Sequence, residues 1–245
     1  MVLHEQAWAR VDARAERAGL ALTAWVGLMA GEVAGGAVAV GEELLEGLAG
    51  ARVGVARIGA AVNSMAATGH LGGVVSEELL VGVLGRLAGR VEAALAAAQA
   101  VAREGSGSPA AVVGGPGAVE GRGRRSQGSV PRGRVITVWF SPGERALVGA
   151  AAAAEGLSAA AWVGLLVEDP AACRPLRGEV WGAVYALRKA LRRVATNLAQ
   201  IESVRGGDEP GGAQLEAARG QVEAAIRVCL EAEERLREQA GEVAA

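Results

Sequence analysis

The residues best suited to contact a phosphate backbone are arginines in the middle of the chain. Residues 104–131 are rich in glycine, serine and proline, which predicts a flexible linker rather than a helix. Its second half is basic, and Arg132 and Arg134 continue this charge into the run RVITVWF at residues 134–140. Such an arm can follow a phosphate backbone, and a solvated linker is the alternative interpretation of the same residues.

Residues 134–140 form the one convincing strand of the sequence, because Val, Ile, Thr, Trp and Phe favour strands. Alternation points every second side chain toward a core, namely Ile136, Val138 and Phe140. The others form an outward face that could enter a DNA groove, namely Val135, Thr137 and Trp139. A single strand needs a partner, so we expect a second chain to supply it and the protein to be a homodimer.

Helix signals follow this strand at once. Ser141 can cap a helix whose first residue is Pro142, and Gly156 suits the left-handed position after its end. Ser158 can cap the next helix, whose first backbone N–H groups could bind a phosphate. Strand, helix, glycine turn and helix in this order are the sequence form of a ribbon-helix-helix unit.

The chain also contains a repeat. The pentapeptide AWVGL occurs at residues 24–28 and again at residues 161–165. Downstream of each copy, apolar residues alternate in steps of four and three. The first series is Leu44, Leu48, Ala51, Val55, Ile58, Val62 and Met65, and the second is Val180, Val184, Leu187, Leu191, Val194, Leu198 and Ile201. This spacing predicts that each copy ends in an antiparallel hairpin of long helices.

The repeat predicts three segments in a mainly α protein. Residues 1–103 would be a degenerate helical copy, residues 104–131 the linker, and residues 132–245 a ribbon-helix-helix-like unit with its helical hairpin. The shared register aligns Val138 with Met1, so we expect the first copy to lack the strand. Whether the two hairpins pack together is open at this stage, because either seam could accept either partner.

Charge is unevenly distributed although the net charge is only −2. Residues 106–205 contain 13 basic and 7 acidic side chains, whereas residues 1–105 contain 8 and 11 and residues 206–245 contain 4 and 9. A basic middle favours a localised contact with a polyanion. Alternatively, arginine is simply the ordinary surface residue of this protein, since Lys189 is its only lysine.

The sequence lacks the residues that metal binding and the common types of catalysis require. Cys173, Cys229, His4 and His70 are isolated in the sequence, which indicates neither a metal site nor a Cys/His nucleophile. No phosphate-binding loop or nucleophile elbow is present, so we expect no cofactor and no enzymatic activity. The N-terminus lacks the pattern of a secretory signal and no apolar run is long enough for a membrane span, which favours a cytoplasmic protein.

The second half resembles the plasmid mobilisation accessory proteins of the MobC type. The resemblance rests on SPGER at residues 141–145, GLS at residues 156–158 and RRVATNLAQ at residues 192–200, in that order. It implies a protein that binds double-stranded DNA near a transfer origin and assists the relaxase, without being a nuclease itself. The residues of the signature helix that it singles out are Arg192, Arg193, Asn197 and Gln200. A duplicated helical scaffold that binds another protein is the alternative.

Overall fold

The protein is mainly α-helical, as the repeat and the helix signals of the sequence predict. The structure, a computed structural model, describes residues 2–3, 5–35, 41–104, 134–168, 177–205 and 211–243. In the first half, α1 is Glu5–Ala18, α2 is Leu22–Ala34, α3 is Glu42–His70 and α4 is Glu77–Glu104. In the second half, α5 is Pro142–Ala154, α6 is Ala159–Glu168, α7 is Arg177–Arg205 and α8 is Gly212–Val243. The predicted linker lies almost entirely outside the described residues.

Two short strands pair with each other, and they correct two predictions. The strand β1 is Val2–Leu3 and the strand β2 is Arg134–Val135. They are antiparallel, with Val2 opposite Val135 and Leu3 opposite Arg134. The segment predicted to be the first copy therefore contains a short strand, and the partner expected from a second chain comes from the same chain.

The predicted strand over residues 134–140 is also too long, because pairing ends at Val135. A hydrogen-bonded ladder extends only as far as both strands do, and β1 has two residues. Residue preference indicated where a strand could form. It could not indicate the length of the strand that pairs with it.

The helices of the two halves start at matching places. α1 and α5 start at Glu5 and Pro142, and α2 and α6 start at Leu22 and Ala159, so both pairs are separated by the same 137 residues as the pentapeptides. The turns between them also correspond. Gly19 has φ of 71° and Gly156 has φ of 69°, a conformation that glycine adopts without steric cost.

The chain forms two compact units, and each contains parts of both halves. The first unit comprises residues 1–45 and 108–182, and the second comprises residues 46–107 and 183–245, so the boundaries fall within α3 and α7. The compact units thus differ in composition from the sequence segments 1–103 and 132–245. Local sequence similarity defines a copy, whereas burial of apolar faces defines a compact unit.

The first unit holds the strand pair, α1, α2, α5 and α6. Its core is built around the tryptophans of the two pentapeptides, Trp25 and Trp162, which are both almost completely buried. α2 packs on α5 and on the segment before it. A Cβ at Gly27 would lie 3.2 Å from Cγ1 of Val138, so the absence of a side chain allows this close approach.

The second unit is a four-helix arrangement of α3, α4, α7 and α8. Arg188 contacts Glu233 and Arg219 contacts Glu202, so α7 and α8 are antiparallel, as the hairpin prediction requires. The contact of Gly59 with Val194 and that of Gly69 with Val204 show that α3 and α7 are parallel. Arg235 donates a hydrogen bond to the carbonyl oxygen of Ala102, which joins the C-terminal parts of α4 and α8.

The apolar positions named from the sequence in α3 and α7 are all buried, which confirms those two seams. The sequence also predicts that Leu215, Val222, Ile226 and Leu236 face inward from α8. The first two and Leu236 are buried, but Ile226 is only half-buried. Ala225 and Cys229 occupy the core there instead. Because Ala225 and Cys229 are small, α8 can lie close to α4 at these positions. The sequence pattern had favoured the larger isoleucine.

Within the described residues, no single helix is long and apolar enough to cross a membrane. α5 and α6 reach that threshold only as a pair, and the pair is bent by 85°. The described residues also contain no group of three or more His, Cys, Asp or Glu side chains arranged to hold a metal ion.

Candidate nucleic-acid interface

The segment that joins β2 to α5 carries two of the predicted DNA contacts, Thr137 and Trp139. Its exposure alternates as predicted, because Ile136 is buried, Val138 and Phe140 are half-buried, and Thr137 is exposed. Trp139 is also exposed, with 84% of its surface accessible. A tryptophan held outward in this way offers a large apolar surface with one N–H donor to whatever binds here.

Both ends of this segment are held in place. At its start, Arg134 and Val135 pair with β1. At its end, the backbone N–H of Ser141 donates to Oε2 of Glu144 at 2.7 Å, and the N–H of Glu144 donates to Oγ of Ser141 at 3.3 Å. This reciprocal capping box confirms the predicted start of α5. Thr137 and Trp139 therefore project from a short connection between two fixed points.

Ser158 caps α6 as predicted. It is exposed, and its Oγ accepts a hydrogen bond from the backbone N–H of Ala161 at 3.2 Å. α2 differs at the matching position, because its N-cap residue Ala21 makes no side-chain hydrogen bond. The N-cap residue of α2 thus supplies no side-chain acceptor to the first backbone N–H groups, and groups of this kind at a helix N-terminus can bind an anion.

The other predicted site residues lie in the second unit and not in the first. On α7, Arg192, Arg193 and Gln200 are exposed, and Asn197 is half-buried. Together with exposed Lys189, the two arginines form a basic face on this helix. Arg132 lies outside the described residues, and Arg134 and Val135 are described only by their backbone pairing.

Arg188 does not belong to this basic face, although it neighbours Lys189 in sequence. Its guanidinium donates two hydrogen bonds to the carboxylate of Glu233 on α8, at 2.6 and 3.0 Å. Only 11% of the Arg188 side chain and 4% of the Glu233 side chain are exposed. Arg188 also lies 5.1 Å from the ring centroid of Tyr185. It links the two helices of the hairpin and is not available to a phosphate.

A buried polar cluster in the first unit was missed by the sequence reasoning. Oε1 of Glu179, a fully buried residue in the first turn of α7, accepts hydrogen bonds from Nε1 of Trp25 and from Nε of Arg14. Arg14 is itself 7% exposed. Glu179 is 165 residues from Arg14 and 154 residues from Trp25 in the chain, so no local spacing predicts that they meet. The only available signal was an arginine on the apolar side of α1.

Comparison with protein-family models, with curated proteins and with solved structures finds no match for this chain.

Proposed function

We propose that this chain is a DNA-binding accessory protein of plasmid mobilisation, similar to the MobC type, which binds duplex DNA near a transfer origin and assists a relaxase. The observation that carries the proposal is the antiparallel pairing of Val2–Leu3 with Arg134–Val135, each strand being followed by two helices in one compact unit. This is the element order of a ribbon-helix-helix dimer, in which a two-stranded ribbon contacts DNA.

In this proposal a single chain provides both strands of the ribbon, which come from two chains in a ribbon-helix-helix dimer. The equal spacing of the helix starts, the two buried pentapeptide tryptophans and the parallel α3/α7 pair support an internal duplication. The ribbon is then formed within one molecule, and the earlier reason for a homodimer is removed. One chain should occupy one DNA site.

DNA contact in the first unit would rely on shape and phosphates more than on bases. On the exposed face of the segment Thr137 offers a hydroxyl group, and Trp139 offers an indole N–H together with a large apolar surface that can contact a groove. The basic run that precedes β2 supplies positive charge in the sequence. We therefore propose an affinity that depends strongly on salt and a modest preference for sequence.

The basic face of α7 would provide a second contact, either to phosphates or to an acidic surface of the relaxase. Lys189, Arg192 and Arg193 are exposed, and α8 of the same hairpin is predominantly acidic. Such a separation of charge within one hairpin orients it toward a polyanion. Electrostatic contacts of this kind raise association rates and depend on ionic strength.

Fluorescence anisotropy with a labelled duplex from the transfer origin tests the proposal. Trp139→Ala should weaken binding, and Leu147→Ala, which truncates a 47% exposed residue of α5, is the matched control. Replacing Lys189, Arg192 and Arg193 together by alanine should reduce the slope of log affinity against log salt by about 2–3 if all three contact phosphates. Deleting residues 1–4 should weaken binding because β2 then loses its partner.

A scaffold that binds protein and not DNA is the second candidate. It is favoured by the apolar connection between α3 and α4, where Leu71 is 87% exposed and Val74 is 94% exposed. If no duplex binds and a relaxase binds with little salt dependence, the scaffold explains the result and DNA binding is rejected. Analytical ultracentrifugation of the DNA complex adds a second criterion, because two chains on each site would contradict the single-chain ribbon.

A further inference from the structure

The first unit contains a cleft that the proposed DNA contacts do not use. Its volume is about 330 Å³. Its lining residues come from α1, α2 and α6, and are Arg10, Val11, Ala13, Arg14, Arg17, Trp25 and Val167. A space of this size is at the lower end of the range for small-molecule sites, and its walls combine apolar side chains with a few charged groups.

Positive charge exceeds negative charge in this cleft. Arg14 shares the buried carboxylate of Glu179 with Trp25, and one of its terminal nitrogens, NH2, is buried without a hydrogen-bond acceptor among the described residues. Arg17 forms an ion pair with Glu42 at 3.0 Å. Arg10 is exposed and forms no ion pair among the described residues. An unsatisfied buried donor is costly, so an added anion would be favourable here.

The other half of the chain serves as an internal control for these arginines. At the spacing of 137 residues, Arg10, Arg14 and Arg17 of α1 correspond to Leu147, Ala151 and Ala154 of α5. The helix α5 thus packs in the same unit with aliphatic residues at all three places. Packing alone does not require arginine at these positions.

Trp25 and Trp162 also differ between the two halves, in the acceptor of the indole N–H. Trp162 donates its indole N–H to Glu155, the C-cap residue of α5, at 3.0 Å. Trp25 instead donates to Glu179, the acceptor that Arg14 also uses. The indole in the cleft is therefore part of the charged cluster, whereas the indole of the other half is not.

We infer that this cleft binds a small organic carboxylate with a flat apolar body. The apolar part would lie against Ala13 and the parts of Val11 and Val167 that line the cleft, and the carboxylate would interact with Arg10 and Arg14. Arginine is suited to carboxylates because its planar fork offers paired donors. The inference does not depend on DNA binding, since none of the lining residues belongs to the proposed DNA contacts.

Isothermal titration calorimetry of the full chain tests this with three probes. They are 2-naphthoate, its neutral analogue 2-naphthamide, and inorganic phosphate, which has charge without an apolar body. We expect naphthoate to bind and the other two to bind at least about tenfold more weakly, because each lacks one of the two features recognised.

Substitutions locate the binding site. Arg10→Ala should weaken naphthoate binding about fivefold, the upper range for an exposed charge pair. Arg145→Ala removes an exposed arginine from α5 and should leave the affinity unchanged. Arg14→Lys should weaken binding while keeping the charge beside Glu179, and a thermal melt would verify that this variant is folded.

Two results would overturn the inference. One is equal affinity for naphthoate and naphthamide, because the arginines would then have no role. The other is an unchanged naphthoate affinity in the folded Arg10→Ala and Arg14→Lys variants, because the ligand would then bind elsewhere. Neither result bears on whether the chain binds a transfer origin.

Discussion

Trp25 and Trp162 occupy the same place in two identical pentapeptides and are both buried, yet their indole groups donate hydrogen bonds to different carboxylates. The acceptor of Trp25 is Glu179, which lies far away in the chain. The acceptor of Trp162 is Glu155, seven residues before it. The two halves are therefore similar in helix placement and different in their polar interactions.

Glu179→Gln should destabilise the protein much more than Glu155→Gln. The first substitution leaves the buried Arg14 without its counter-charge, and breaking a buried ion pair in this way costs about 3 kcal/mol. Glu155 is exposed, and its glutamine keeps an oxygen acceptor, so a cost below about 1 kcal/mol is expected. Urea unfolding followed by circular dichroism measures both. Equal costs would show that Glu179 contributes only as a hydrogen-bond acceptor.

Glu233→Gln should likewise cost about 3 kcal/mol, because Arg188 then keeps a nearly buried charge without its partner. The double variant Arg188→Met with Glu233→Leu should recover most of this loss, since apolar residues can replace a buried ion pair. The pair between Arg219 and Glu202 is the control, because 36% of each side chain is exposed. Its removal should cost less than about 1 kcal/mol. A double variant as unstable as the single one would contradict this expectation.

Cys229 should make stability depend on pH in alkaline solution. The pKa of its thiol is raised from 9.0 to about 12, mainly by burial and also by Glu233, while Arg188 acts to lower it. The folded-state pKa lies above the unfolded value, so the contribution to stability is complete below pH 9 and is lost as the pH rises toward 12. The loss should approach about 1.4 kcal/mol per pH unit within this window. Comparing the wild type with Cys229→Ala by chemical unfolding isolates this contribution, and identical pH profiles would contradict it.

Gly178→Ala and Gly47→Ala should have opposite effects. A Cβ at Gly178 would lie 2.6 Å from Oε1 of Glu32, the atom that accepts the backbone N–H of Gly178 at 2.8 Å. Displacing that carboxylate removes a cap at the start of α7, which costs about 1 kcal/mol. A Cβ at Gly47 meets no atom within 4 Å, so alanine should stabilise α3 by about 0.5–1 kcal/mol. Thermal unfolding of the two variants measures these effects. Stabilisation by both substitutions would contradict a stabilising role for the Glu32 cap.

Interactions between residues close in the chain were predictable from the sequence. Ser141 with Glu144, the left-handed Gly156 and the cap at Ser158 were readable because each involves positions a few residues apart. The apolar seams of α3 and α7 were readable for the same reason, since a helix repeats its face every three or four residues. The half-buried position of Ile226 in α8 could not be predicted in this way, because the nearby Ala225 and Cys229 are also apolar and occupy the core instead.

The sequence by itself thus determined that this protein is mainly helical, where its caps and turns lie, and which faces of its central helices are buried. Only the tertiary structure decided which elements meet: that β2 pairs with β1 of the same chain, that each compact unit combines both halves, and that Glu179 joins Arg14 to Trp25. The physical reason is that local patterns report the burial of a face but not its partner. An apolar stripe can pack against any other, and a short strand pairs with whichever edge the helices bring beside it.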